Sequence, residues 1–317
     1  MLMELISSSY RRIINFRQFI LQIIAYRAEI RNINRKENLW SRVELTPEQE
    51  SEIQSYWSGI YGKQIPTKWH RLYQSYMGIF DKRYFPEILY STKLERFLSP
   101  EKYNSVLADK YLITSIFNGG GYKAPVTFVA NTSGVFTNGR HEVISQLEAK
   151  SILENIGACV MKPTIDTSSG QNVMMLDMKD GKDVKTGLAS EELFRKFKQN
   201  YIVQERIEQS DVLNKLYPKA LNTFRVVTYI CEGKVYCAPV AIRIGRGGAE
   251  VDNIHAGGIT IGIDNNCCLR KYAFTEMGDR FEKHPDTGLF HNNAGDAYMC
   301  LEKYPEAINH LQKALNI

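Results

Sequence analysis

Arginines and lysines in a few short runs carry the chemistry that this sequence offers. Arg225 stands in Asn222-Thr223-Phe224-Arg225-Val226-Val227 and Arg243 in Ala241-Ile242-Arg243-Ile244, and the loop Val251-Asp252-Asn253-Ile254-His255-Ala256-Gly257-Gly258 follows. Alternation and β-branched content predict strands from Phe224 to Cys231 and from Lys234 to Ile244, turning at Glu232-Gly233. The two guanidinium groups then lie on adjacent antiparallel strands. A guanidinium is a permanent planar cation with five donors, and a pair of them beside a glycine-rich loop suits a polyphosphate or a developing acyl-phosphate. On that stretch alone, two arginines solvated on an outer sheet face are the plainer alternative.

Lys162 adds a third cation. It ends the short buried strand Cys159-Val160-Met161, with Pro163 behind it and Thr167-Ser168-Ser169-Gly170-Gln171-Asn172-Val173 following. A loop short of side chains leaves its amides free to close over an anion while the lysine supplies a point charge. No Gly-Lys-Ser/Thr ends this loop, so it is not a Walker loop.

The elements that must position these groups follow from pattern and punctuation. A helix is expected from Met1 to about Asn34, and another after Leu45-Thr46-Pro47-Glu48, with Thr46 as N-cap and Pro47 in the first helical position. Tyr56, Trp57, Tyr61, Trp69, Tyr73, Tyr76 and Phe80 make the next stretch an aromatic helical layer, punctuated by Pro66, Pro86 and Pro100. A helix opening at Ser99-Pro100-Glu101 carries Asp109-Lys110 and stops at Asn118-Gly119-Gly120-Gly121. Beyond it are expected a strand Ala124 to Ala130, a helix Glu142 to Asn155, strands at Cys159 and from Met174 to Met178, a helix Ser190 to Asn200 and a strand Tyr201 to Gln204.

The 317 residues carry 44% hydrophobic and 24% charged side chains, the balance of a globular chain with a substantial core. A net charge of +5 is mild and lacks the concentrated basic stripe that nucleic-acid binding requires. The excess gathers in the first helix, where Arg11, Arg12, Arg17, Arg27, Arg31, Arg35 and Lys36 face Glu4 and Glu29. Its uncharged run from Gln18 to Tyr26 is too short to span a bilayer and is followed by no small-residue cleavage site. Docking on another domain is the expected role, with rest on an anionic membrane surface as the alternative. The six cysteines show no CxxC spacing, which argues against zinc and for a reducing cytoplasmic setting with Cys231 and Cys237 as small apolar strand residues.

The succession of a helix with Lys110, a strand ending at Lys162, a Ser-Ser-Gly loop, a strand ending in Gln204-Glu205-Arg206-Ile207-Glu208 and the Arg225 and Arg243 strands resembles the ATP-grasp superfamily. Within it the chain is similar to the sugar-transfer-associated, glutamate-ligase-related branch. The motifs that carry this are Asn222-Thr223-Phe224-Arg225, Asp252-Asn253-Ile254-His255-Ala256-Gly257-Gly258 and His284-Pro285-Asp286-Thr287-Gly288, and the resemblance runs from about Leu45 to Leu289. It implies an α+β chain with the ATP-grasp fold, two α/β lobes clasping ATP, flanked by a helical N-terminal layer and a C-terminal helical hairpin. The implied division is 1–98 for the layer, 99–289 for the ATP-grasp domain and 290–317 for the hairpin.

Carried over position by position, the resemblance makes Lys110 and Lys162 the cations over the α and β phosphates. Ser168, Ser169 and Gly170 become the flap. Gln204 to Ile207 become the hinge that reads the adenine edge, with Glu205 toward the exocyclic amine and Glu208 or Asp211 on the ribose. Arg225 contacts the γ-phosphate, while Arg243, Asn253 and His255 line the loop over the acceptor. The implied cofactors are ATP and Mg2+, and the implied chemistry is activation of a carboxylate as an acyl-phosphate with capture by an amine or hydroxyl, in a polysaccharide or cell-envelope setting. Read singly, Lys110 is also an ordinary solvated lysine, Glu205 to Glu208 a charged helix start and His255 a hydrogen-bonded loop residue.

Members of this family continue past His-Pro-Asp-Thr-Gly into a segment whose aspartate and later Glu-x-Asn hold magnesium. Those residues are missing here, leaving Asp252 and Asp264 as nearby carboxylates. In their place Gly295, Tyr298, Tyr304, Ala307, Leu311 and Ala314 stand at the offsets of one tetratricopeptide repeat, which cannot bury its own face and implies a packing partner. The alternative is therefore a truncated nucleotide-binding relative, catalytically impaired, that engages a protein partner through this tail.

Overall fold

The computed structural model describes residues 2–98, 106–165, 167, 171–264 and 268–289. The tetratricopeptide-like stretch, Ser168, Ser169 and Gly170 lie outside the described residues, as do Cys267 and Cys300.

The first helix, Leu2–Arg35, leads into a layer built on Pro47–Tyr61 and Lys68–Met77. Thr46 and Gln49 close a reciprocal capping box at the start of Pro47–Tyr61, with Pro47 where its missing N–H costs nothing. Trp40, Trp57 and Trp69 meet Ile33, Ile53, Leu72 and Ile88 in the core of the layer. The layer rests on the far end of the chain. Tyr76 packs edge-on against Phe274 at 5.7 Å and donates its hydroxyl to the Glu276 carbonyl at 3.0 Å.

Strands β1 (Thr127–Thr132), β2 (Val135–Asn138), β3 (Val143–Ile144), β4 (Ala158–Pro163), β5 (Met174–Lys179), β6 (Lys182–Asp183) and β7 (Tyr201–Glu205) form one sheet in the order β3-β2-β1-β7-β4-β5-β6. Every pairing in it is antiparallel. Side chains alternate across a strand, so Cys159 and Met161 of β4 and Leu176 and Met178 of β5 enter the core with Leu153 and Phe194, from the helices Gln146–Asn155 and Ser190–Phe197. Val160 and Lys162 are thereby turned to the opposite face.

The second sheet runs β14-β13-β12-β11-β8, from β8 (Thr223–Arg225), β11 (Ala241–Ile244), β12 (Ile259–Ile263), β13 (Leu269–Phe274) and β14 (Arg280–Phe281). Its core is Ile242, Ile244, Ile259, Ile261 and Ala273 with Tyr217 and Ala220. The helix Asp211–Leu216 adds Leu213 and Leu216.

Several sequence expectations shift. The helix carrying Lys110 begins at Lys110 itself, because the Asp109 carboxylate caps it by accepting from the Tyr111 and Leu112 amides. The helix expected from Glu142 starts at Gln146, where Ser145 and Glu148 form the stronger start signal, and Val143–Ile144 is strand. The strand expected from Ala124 begins at Thr127, and the helix from Ser190 ends at Phe197. The single long hairpin divides. Its base, β8 and β11, must bury Phe224 and Ile242 in the second sheet, whereas β9 (Thr228–Cys231) and β10 (Lys234–Cys237) pair only with each other. Cys231 is correspondingly exposed rather than packed.

Candidate functional site

A cleft of about 1570 Å³ is lined from both sheets. The first contributes Val160 and Lys162 of β4, Asp177 of β5 and the end of β7, and the second contributes Arg225 of β8 and Arg243 of β11. The cationic strand residues arrive there by alternation. With Ile242 and Ile244 in the core, Arg243 projects from the opposite face, and the antiparallel register sets Arg243 beside Thr223 and Ala241 beside Arg225.

The four cations are not equivalent. Lys110 donates to the Thr164 carbonyl at 3.4 Å and to the Thr167 hydroxyl at 3.1 Å, which ties its ammonium to the loop leaving β4. Arg243 is paired with Asp252 at 3.0 Å and donates to the Thr223 hydroxyl at 3.2 Å, while that hydroxyl donates to the other Asp252 oxygen. The side chains of Lys162 and Arg225 make no hydrogen bond or ion pair among the described residues. Burial pushes the Lys162 ammonium below the usual lysine range, and the neighbouring charge of Lys110 pushes the same way. A half-buried cation without a carboxylate, beside another cation, is an environment completed by an anion.

At the end of β7 the buried Gln204 side chain lies on the cleft face beside Val160 and donates to the Thr127 hydroxyl at 2.9 Å. One Glu205 oxygen accepts the Val126 amide at 2.9 Å. Beyond β7, Arg206, Ile207 and Glu208 line the cleft and make no hydrogen bond among the described residues, so their backbone groups are open to it. Asp211 lines the same wall at the start of its short helix. Asn253 reaches the cleft, but its side-chain oxygen is taken by the His255 amide at 2.8 Å, the cap of the turn Ile254–Ala256.

His255 is not among the residues lining the cleft. Its imidazole Nδ1 meets the Glu276 carboxylate at 2.7 Å, and Glu276 also holds Arg35 at 3.1 Å. Glu276 is drawn two ways: burial pushes its carboxyl up, while His255, Lys36 and Arg35 outweigh burial and hold it below the usual range. The His255 ring thus turns to the β13–β14 turn.

Two motifs singled out in the sequence prove to be anchors. Asn222 is buried, with its amide donating to the Leu213, Tyr217 and Gln209 oxygens and its Oδ1 accepting from the Gly245 amide at 3.2 Å. His284 is buried on the other side of the same residue, with Nε2 at 2.8 Å from the Gly245 carbonyl. That carbonyl can only accept, so Nε2 carries the proton and Nδ1 accepts from the Asp286 and Thr287 amides. A Cβ on Gly245 would lie 2.6 Å from the Tyr217 ring. The backbone that carries the cleft loop from Gly245 to Asn253 is therefore clamped from both sides at its start. Sequence reasoning missed Lys185 and Lys219, which line the cleft from loops where no periodicity marks them.

Among the described residues no three His, Cys, Asp or Glu side chains gather as a metal site. Both Asp252 oxygens are engaged by Arg243 and Thr223. No step below passes through a magnesium ion.

The chain belongs to the sugar-transfer-associated ATP-grasp family, whose model matches residues 89–294, and that membership suggests an ATP-dependent, ligase-like activity. The match begins later than Leu45, leaving the first helices outside it. No curated protein and no solved structure matches the chain.

Proposed function

We propose that the cleft holds ATP between the two sheets and that the chain activates a carboxylate as an acyl-phosphate and ligates it to an amine or hydroxyl. The observation that carries this reading is Lys162: a half-buried cation whose side chain has no partner among the described residues, facing a cleft shared with Arg225, in a chain of an ATP-binding family. Lys162 and Lys110 neutralise the inner phosphates, and the open backbone of Arg206 and Ile207 reads the adenine edge, with Glu208 or Asp211 on the ribose. Arg225 stands at the γ-phosphate. A carboxylate oxygen attacks the γ-phosphorus, the bond to the bridging oxygen breaks and ADP leaves. The nucleophile then attacks the acyl carbon, loses its proton and expels phosphate. Alignment and charge neutralisation are what such transfer needs from a protein. An acceptor in polysaccharide or cell-envelope assembly, a cytoplasmic setting and the flap role of Ser168, Ser169 and Gly170 belong to the same proposal, as does the division into 1–98, 99–289 and 290–317.

A second reading, nucleotide binding without turnover and with the tail as an interaction surface, is favoured by the lack of a carboxylate cluster among the described residues. Calorimetric titration with ATP, with and without magnesium, separates the two. Magnesium-dependent binding with phosphate release on adding a carboxylate acceptor supports the ligase; binding indifferent to magnesium supports the second reading; no binding removes both.

A further inference from the structure

The first helix bears a surface that the cleft does not use. From Glu29 onward it is anchored: Ser91 donates to the Glu29 carboxylate at 2.8 Å, and Ile30 and Ile33 enter the core of the helical layer. Ahead of that point it stands out, with Phe16, Phe19 and Ile24 exposed to 67%, 57% and 55% and Ile20 and Tyr26 exposed as well. Phe16, Ile20, Ile24, Arg27 and Arg31 follow one another at spacings of four, four, three and four, so they form one stripe along the helix. The stripe is apolar at one end and cationic at the other. Neither Arg27 nor Arg31 has an ion-pair partner among the described residues, and Glu29, off the stripe, is occupied by Ser91.

We propose that this stripe is a docking surface for an anionic lipid bilayer, with the helix lying in the headgroup plane. Phenylalanine and isoleucine side chains enter the acyl boundary while Arg27 and Arg31 meet lipid phosphates, the arrangement of a surface-lying basic helix. Charge decides the occupant. A second copy paired parallel through the stripe sets arginine against arginine, and an antiparallel pairing buries each arginine against phenylalanine or isoleucine without a carboxylate. An anionic surface satisfies both ends at once. Among the described residues no helix is long and apolar enough to cross a membrane, so the helix rests on the surface.

The test is co-sedimentation of the full chain with vesicles of phosphatidylcholine alone or mixed with phosphatidylglycerol. Binding should be at least tenfold tighter to the mixed vesicles and weaken with salt. Phe16→Ser combined with Ile24→Ser should lower it at least tenfold, and Arg27→Gln combined with Arg31→Gln by roughly 25-fold, about fivefold for each charge. These side chains are exposed, and an unchanged melting temperature shows that each variant is folded. Equal binding to both vesicle types, or parent-like binding by both double variants, overturns the proposal. So does light scattering that finds an oligomer which Phe16→Ser with Ile24→Ser returns to monomer, for then the occupant is a second copy. Neither result bears on the nucleotide reading.

Discussion

Lys162 is the residue at which the cleft is most exposed to test. Replacing it with alanine should weaken ATP binding by about 1–3 kcal/mol, the range for a lost charged hydrogen bond, and calorimetry that finds the parent affinity would remove it from the site. Lys162→Met should cost the ligand-free protein no stability, because the ammonium there is half-buried beside Lys110 and pairs with no carboxylate among the described residues. A fall in the ligand-free melting temperature would mean that the charge is answered within the protein. His284 predicts an acid limb. Burial pulls its pKa below the ordinary histidine value, against the Gly245 carbonyl and Asp286. The unfolded chain then takes up a proton that the fold refuses, so the contribution is complete above pH of about 6.5 and is lost as pH falls through the lowered value. His284→Asn should flatten that limb in urea midpoints taken across pH. An unchanged slope would place the acid sensitivity elsewhere, His70 being the other buried imidazole with a lowered value.

At the scale of elements, the pairing of β8 with β11 was legible, because Arg225 and Arg243 fall on neighbouring strands from the same period of two, whereas β12, β13 and β14 of the same sheet were not expected. The division of the long hairpin was not legible, because Val226, Val227 and Val240 read as strand whether or not a third strand is there to pair with them. Nor was the orientation of His255, which depends on Glu276 and Arg35, distant in sequence and brought together only by the fold. Arg35 is well exposed, so Glu276→Gln should change stability by at most about 1 kcal/mol while speeding amide exchange at Ile254–Ala256. Unaltered exchange would show that the turn stands without the carboxylate. Gly258 is stricter. A Cβ there would meet the Asp252 carbonyl oxygen at 2.4 Å and the Asn253 oxygen at 2.9 Å, both backbone. Gly258→Ala should therefore destabilise the protein by about 1–3 kcal/mol and displace the Asp252 partner of Arg243. A parent-like melting temperature would show that the loop yields freely.

Across the whole molecule, the two sheets keep separate cores and meet at the cleft, with the helical layer docked through Tyr76 and Glu276 on the second. The order of parts carried the family resemblance because each part is a short local pattern. What joins them, above all the clamping of Gly245 by Asn222 and His284, is a tertiary matter that no local pattern encodes. The placement of the indoles has an optical consequence. The chain has three tryptophans, and Trp40, Trp57 and Trp69 all sit in the core of the helical layer. Tryptophan emission, excited where tyrosine does not absorb, therefore watches that layer alone, so loading the cleft should leave the spectrum almost unchanged while denaturant-induced melting of the layer reddens it. Emission and far-ultraviolet dichroism followed together would then time the release of the N-terminal helices independently of the sheets.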